Sequence, residues 1–258
     1  MTLSKSDYML FLRHPAWLWL KKYEKHRLPP LDENTQAIFD AGHEFESYVE
    51  KIYPKAVNVG FSNYNEYKTL PYRTWQEIEN GTQTILQGGF EAKGISCIVD
   101  LLEKVDDKIF DLVEIKSSTK AKPEHEYDLA FQVEVLNLCG YSVRNISVIH
   151  VNNEYIRDGE IEVEKLISRT DVTKEVKDLE DLTREQINKA FQVLNSDKMP
   201  SLSARYVNQL GISVGSSWMQ DYLTVYKHLN PDIDKYNVYN LSYPSADQIG
   251  KLEDLHRR

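Results

Sequence analysis

The stretch Ile95–Ser118, ISCIVDLLEKVDDKIFDLVEIKSS, decides the fold. Two runs rich in apolar and β-branched residues, Ile95–Glu103 and Lys108–Ser117, flank the turn formers Asp106-Asp107 and read as strands. A third run, Thr84–Glu91, precedes them across a Lys93-Gly94 turn. Side chains alternate along a strand, so Asp100 shares a face with Ile98 and Leu102. Glu114 and Lys116 share a face of the next strand, with Val113 and Ile115 on the other. A carboxylate inside an apolar strand loses hydration at a cost of roughly several kcal/mol unless something pairs with it. A divalent cation bound by Asp100 and Glu114 would supply that pairing, and an all-oxygen donor set suits Mg²⁺ or Mn²⁺ better than zinc. The other reading makes Asp100 and Glu114 edge-strand charges with Lys116 as their salt-bridge partner.

Outward from this core, Glu124–Cys139 has a helical pattern. Asn145–Asn152 is a nearly continuous apolar strand of the kind found in a buried parallel position. Asp178–Asn195 reads as a capped amphipathic helix. Upstream, Ser4 or Ser6 opens a helix that ends at His14-Pro15. A second helix runs from Ala16 to about Lys25, and a third from Glu33 to Ile52 with Ile38, Phe39, Phe45, Val49 and Ile52 inward. Residues 54–80 read as a lid or connector with a short helix at Thr74–Glu79. Its Tyr64, Tyr67 and Trp75 are candidates either for packing or for stacking on unpaired bases. Two more helices are expected at Ser217–His228 and Ala246–His256. The order of elements predicts an α/β fold: a mixed sheet flanked by helices, with an N-terminal helical hairpin and a C-terminal helical extension. The expected boundaries are 1–200 for the main domain (hairpin 1–30, core 31–200) and 201–258 for the extension.

The 258 residues carry 31 Lys and Arg against 40 Asp and Glu, a net charge of -9. No overall basic footprint for nucleic acid exists, so phosphate contact would need a local patch or a metal. Lys116, Lys120 and Lys122 form one patch after the Glu114 strand, and Lys21, Lys22, Lys25, His26 and Arg27 form another. Cys97 and Cys139 are the two cysteines, which excludes a disulfide scaffold or a four-thiolate cluster within this chain. The first residues lack a signal-peptide layout and no apolar run approaches 18 residues, so a reduced, soluble, cytoplasmic protein without a membrane partner is expected. Phosphate-loop and dinucleotide motifs are absent. Gly211–Gly215 spells G-x-S-x-G without a preceding β-run and is read as a chance loop.

Asp100 followed by Glu114-Ile115-Lys116 resembles the core of the PD-(D/E)xK nucleases, with an acidic residue on one strand and E-x-K on the next. Gln132, in AFQVEVL, is similar to the Q-x-x-x-Y element of the RecB-like branch, which includes the CRISPR-associated exonucleases. Gly42 and Glu46, in AGHEFESYVEKIY, look like that superfamily's G-x-x-x-E helix. The opening LSKSDYMLFLRHPAWLWL resembles the branch's helical hairpin. The likeness covers about residues 3–152 and implies a restriction-endonuclease-like fold.

The likeness implies a metal set of Glu46, Asp100, Glu114 and the Ile115 carbonyl. It gives Lys116 the task of orienting the attacking water and Gln132 that of positioning Lys116 or a phosphate. Lys120, Lys122 and His43 would contact nucleic acid. Three departures stand out. His14 replaces the cysteine that precedes proline in cluster-bearing members, so no iron–sulfur cluster is expected. Leu136 replaces the Tyr after Gln132. His43 lies beside Gly42 with no clean match to the branch's metal-proximal histidine.

Two functions follow from these residues. One is a Mg²⁺- or Mn²⁺-dependent nuclease hydrolysing phosphodiester bonds in single- or double-stranded DNA, as an exonuclease or a repair- or defence-associated enzyme. The other is a weakly active or inactive nuclease-fold module that binds nucleic acid, a partner protein or a second copy of itself. In that case the basic patches and the Tyr-rich C-terminal segment would be contact surfaces.

Overall fold

The computed structural model describes residues 2–30, 33–207, 217–233, 237–241 and 245–255. Among the described residues seven strands form one mixed sheet: β1 (Leu3–Ser4), β2 (Val57–Asn58), β3 (Thr84–Ala92), β4 (Ile95–Asp106), β5 (Ile109–Lys116), β6 (Ser142–Val151) and β7 (Ile167–Asp171). The helices are α1 (Lys5–Arg13), α2 (Pro15–Tyr23), α3 (Glu33–Glu50), α4 (Tyr64–Glu79), α5 (Pro123–Leu138), α6 (Val163–Leu166), α7 (Thr173–Asp178), α8 (Glu180–Leu194), α9 (Ser217–Leu229) and α10 (Ala246–Leu255). The class is α/β, a mixed sheet flanked by helices. The Gly211–Gly215 string lies outside the described residues.

Sheet order is β2-β3-β4-β5-β6-β7, with β1 paired to β4 off that path. β3–β4, β4–β5 and β6–β7 are antiparallel; β1–β4, β2–β3 and β5–β6 are parallel. The Lys93-Gly94 turn takes positive φ at both residues, 47° and 82°, as a two-residue hairpin between right-twisted strands requires.

What positions the candidate site is the uneven pairing of β4. One edge of β4 is matched by β3 along most of its length. On the other edge β1 covers Ile95 and Ser96, while β5 pairs only from Leu101 (opposite Val113) onward. The intervening Cys97–Asp100 backbone forms a fork that neither neighbour fills. Lys5, the residue after β1, and Glu114–Lys116, the end of β5, both arrive there.

Leu101, Val113 and Ile115 pack with Leu86, Ile149, Phe45 and Val49 in one buried cluster, so α3 covers that face. Alternation then sends Asp100 and Glu114 to the opposite face, where Gln132 of α5 hydrogen-bonds to Glu114. α5 is buried on nearly every side, which is why its central residues are apolar all round and its few polar ones face partners.

Several expectations need correction. Ile38 and Phe39 are exposed, at 66% and 48%; α3 meets the sheet only from Phe45 onward. The connector is largely the helix α4. Its start is capped by Asn63, whose side chain accepts from the Asn65 and Glu66 amides, and it holds Pro71 inside. Tyr64, Tyr67 and Trp75 stay exposed on it. The strand β7, with one leading isoleucine, pairs at the sheet edge and has no alternating apolar signal. The expected helix Asp178–Asn195 begins earlier, as two pieces, α7 and α8.

The chain divides into two compact units, residues 1–5 with 32–184 and residues 6–31 with 185–258. The expected boundaries differ: the N-terminal hairpin groups with the C-terminal segment. In that second unit His14 is fully buried. Its Nδ1 accepts from the Ala16 amide at 3.2 Å and its Nε2 meets the Ser203 carbonyl at 3.1 Å. Its ring stacks on Trp17 and Tyr222. Trp19 and Tyr23 donate to the Ser196 and Leu194 carbonyls. Tyr222 packs tilted against Tyr226, and Tyr226 stacks on Tyr239. Lys21 pairs with Asp7, Lys22 donates to the Leu194 carbonyl and Arg27 pairs with Glu24. Most of that basic patch is therefore committed within the unit.

Candidate active site

Pairing of β4 with β5 stops at Leu101 and Val113, which leaves Asp100 and Glu114 as the next residues on the two strands. Asp100 Oδ2 accepts the Ile115 N–H at 2.8 Å, replacing a ladder bond with a side-chain one and holding the fork open. Glu114 is fully buried. Its Oε1 takes the ammonium groups of Lys116 and, at 3.1 Å, Lys5; its Oε2 takes Gln132 Nε2 at 2.7 Å.

Two residues that the sequence reading did not single out complete the cluster. Asp128, one helical turn before Gln132 on α5, lies 3.3 Å from both Lys116 and Lys5 and accepts from Gln132 Nε2 at 3.0 Å. The i,i+4 spacing of Asp128 and Gln132 was legible. Lys5 gave no signal, because its place depends on β1 pairing with β4, some 90 residues away. Glu114, Lys116, Asp128 and Lys5 form a closed ring of two carboxylates and two ammonium groups, and the Gln132 amide bridges it.

The electrostatics follow. Burial would raise Glu114, but Lys116 and Lys5 outweigh it and hold the carboxyl well below the usual range. Burial would lower Lys116, but Glu114 and Asp128 hold it well above the ordinary lysine value, so it is an ammonium and a donor. Lys5 is raised for the same reason. Asp100 stands outside the ring. Burial, then the neighbouring Glu114 charge, pushes it up to about 7. Gln132 Oε1 is a buried acceptor with no hydrogen-bond partner among the described residues.

Other candidates lie outside the ring. Glu46 is partly buried, and burial raises its carboxyl. Lys116 and Glu114 both influence it, yet α3 packs on the sheet face opposite theirs. Among the described residues no group of three or more His, Cys, Asp or Glu side chains is arranged to hold a metal. His43 is exposed, 3.7 Å from Glu46. Lys120 and Lys122 are exposed, and Lys122 lies 3.8 Å from Glu124. His125 is buried in the first turn of α5; burial and the Lys116 charge lower it to about 4.

A cleft of about 490 Å³ is lined by His43, Glu46, Glu50, Phe61, Glu66 and Gln87, among others. Gln87 lies between the Leu86–Leu101 and Gly88–Val99 pairs, across from Asp100, in a left-handed conformation with φ 53°. A non-glycine residue held there marks local strain of the sort found at functional sites.

Asp100 and Glu114 are the oxygen donors that could hold a Mg²⁺ or Mn²⁺ ion. Such ions take one or two protein carboxylates and fill their remaining positions with water and phosphate oxygens. An added cation would offset the burial and the Glu114 charge that together lift Asp100, and the unpartnered Gln132 oxygen can accept from water. No helix among the described residues is long and apolar enough to cross a membrane.

No family model matches the chain, and no curated protein is similar to it. A solved structure described as "Crystal structure of SSO0001" is similar at 10% identity over 80% of this chain and 82% of that one, with a TM-score of 0.32. That likeness is too slight to carry an argument about fold or function.

Proposed function

We propose that the chain is a metal-dependent phosphodiesterase acting on DNA, with a restriction-endonuclease-like fold related to the RecB-like branch of the PD-(D/E)xK nucleases. The observation that carries the reading is Asp100 facing Glu114 across the β4–β5 fork, with Lys116 on Glu114. Asp100 and Glu114, with the Ile115 carbonyl as a further oxygen, would hold Mg²⁺ or Mn²⁺; when bound, the ion supplies positive charge beside the scissile phosphate.

In the hydrolysis a water oxygen forms a bond to phosphorus and gives up a proton to bulk solvent, the bond to the leaving sugar oxygen breaks, and that oxygen takes a proton from solvent. Lys116, held as an ammonium, donates a hydrogen bond to the attacking water or to charge developing on the phosphate and is not the proton acceptor. Gln132 keeps Glu114 oriented through its amide. Lys120 and Lys122, on the loop leaving β5, would meet phosphates along the strand.

The test is incubation of the purified chain with end-labelled linear and circular DNA, with and without Mn²⁺. Mn²⁺-dependent cleavage that is lost in Lys116→Met supports the reading; cleavage by Lys116→Met at the wild-type rate rejects it. One observation favours the second reading, a non-catalytic nuclease-fold binding module. The ring already neutralises Glu114 without a metal, and no three-ligand group forms among the described residues. Calorimetric silence with Mn²⁺, together with intact DNA, would decide for that module.

A further inference from the structure

We infer that Asp128 is a positioning residue of this site, holding the Lys116 ammonium and the Gln132 amide where Glu114 and a phosphate can use them. The inference rests on the hydrolase reading above for its functional part, and on geometry alone for its structural part.

Glu114 by itself cannot fix Lys116. The two side chains are neighbours on one strand face, and a lysine bound at one end to a single carboxylate oxygen can swing about that oxygen. Asp128 removes this freedom. Its Oδ2 lies 3.3 Å from Lys116 Nζ, and its Oδ1 lies 3.0 Å from Gln132 Nε2 and 3.3 Å from Lys5 Nζ. Both Asp128 oxygens are therefore engaged, from a helix that is itself buried. Lys116 thus has two carboxylate anchors on two different elements, β5 and α5.

Asp128 matters most once Glu114 turns toward a divalent cation. The two ammonium groups would then lose much of their hold on Glu114 and be repelled by the ion. Asp128, no part of the proposed Asp100–Glu114 pair, remains as their counter-charge and keeps Lys116 in place. Lys5 has the complementary role: it satisfies the second Asp128 oxygen, so that Asp128 is not drawn wholly onto Lys116. The position of Lys5 is set by the Leu3–Ile95 and Ser4–Ser96 pairing that brings the chain start to the fork.

The experiment has two arms. In a chelator, lysine ammonium ¹H–¹⁵N spectra of the whole chain should show slowly exchanging signals for Lys5 and Lys116, assigned through Lys5→Met and Lys116→Met. Asp128→Asn should shift the Lys116 signal and speed its exchange. In the cleavage assay Asp128→Asn should lower kcat about 10- to 100-fold, with KM and calorimetric Mn²⁺ affinity within about two-fold of wild type, as expected when a donor is misplaced and not removed. Asp128→Glu, which keeps the charge on a longer arm, should recover part of the loss; it also replaces Asp128→Asn in both arms if that variant does not fold.

An unchanged Lys116 signal in Asp128→Asn overturns the inference, as does an unchanged kcat in an active enzyme. A wild-type chain that cuts nothing overturns the hydrolase reading, and the ammonium spectra then decide the positioning of Lys116 by themselves.

Discussion

Asp100 Oδ2 accepts the Ile115 amide at 2.8 Å, one residue past the point where β4 and β5 stop pairing. A carboxylate thereby serves as the last rung of a β-ladder, and the same group becomes the buried acid of the fork. Structure and charge are tied at this atom, with consequences for stability.

Asp100→Asn should stabilise the chelated protein at pH 8 and leave it nearly unchanged at pH 4. The folded state keeps the Asp100 proton up to about pH 7, whereas the ordinary aspartate value, expected in the unfolded chain, is 3.8. Between those values the folded state binds more protons, so wild-type stability falls as pH rises through this window. The neutral amide can still accept from Ile115 and carries no such penalty. A gain on the order of a few kcal/mol at pH 8 is expected, measured as the urea midpoint from pH 4 to 8. A pH-independent difference between the two proteins would rule this out.

Glu114→Ala should destabilise the chain by roughly 3–5 kcal/mol, because it leaves two part-buried ammonium groups facing each other with only Asp128 between them. Lys116→Met should cost no more than about 1–2 kcal/mol, since Glu114 keeps Lys5 and Gln132. Chemical denaturation of both variants, followed by circular dichroism, reads the difference.

Protonation of His14 should loosen the unit that contains it. Burial lowers this histidine from 6.5 to about 4, overcoming the Ser203 carbonyl contact that favours the charged form. The unfolded chain binds the proton first, so the His14 contribution is fully present above pH 6.5 and is lost as pH falls toward 4. His14→Gln should lower stability at pH 7 and remove that part of the pH slope. Hydrogen exchange at the Ala16 and Ala204 amides, compared at pH 7 and pH 5 after correction for the intrinsic rate, gives the local readout.

Gly89→Ala should cost about 1–3 kcal/mol through overpacking. A Cβ at Gly89 would lie 2.6 Å from Leu70 Cγ, in the tight contact between β3 and α4 where Thr74 Oγ1 also accepts the Gly89 amide at 2.9 Å. Gly140→Ala has open space but a φ of 85°, so its penalty is backbone strain without a clash. Melting temperatures of the two variants and the double mutant should be additive, since the mechanisms share no partner.

Much of the sheet was written in the sequence. Period-two alternation and the Lys93-Gly94 and Asp106-Asp107 turns locate β3, β4 and β5 to within a few residues, because strand and hairpin preferences are local. The same alternation places Glu114 and Lys116 on one face. Elements whose signal is not local escaped. The helix α4 is held by an Asn63 cap and by its packing on β3 despite Pro71, and β7 is defined by its partner β6 and not by its own pattern. Ile38 and Phe39 obey the helical period yet find no sheet beneath them.

Local chemistry therefore determined which residues could carry charge into the core: Asp100, Glu114, Lys116 and Gln132 were each visible as polar groups in apolar runs. Only tertiary structure decided what those charges meet. Lys5 arrives because a two-residue strand pairs with β4, and Asp128 because α5 packs on the face that Glu114 occupies. Glu46 feels the Lys116 and Glu114 charges only because α3 packs on the sheet. Sequence spacing specifies direction within one element, but a charge cluster depends on distances between elements, and those are fixed only when the strands stop pairing at Asp100 and the fork opens.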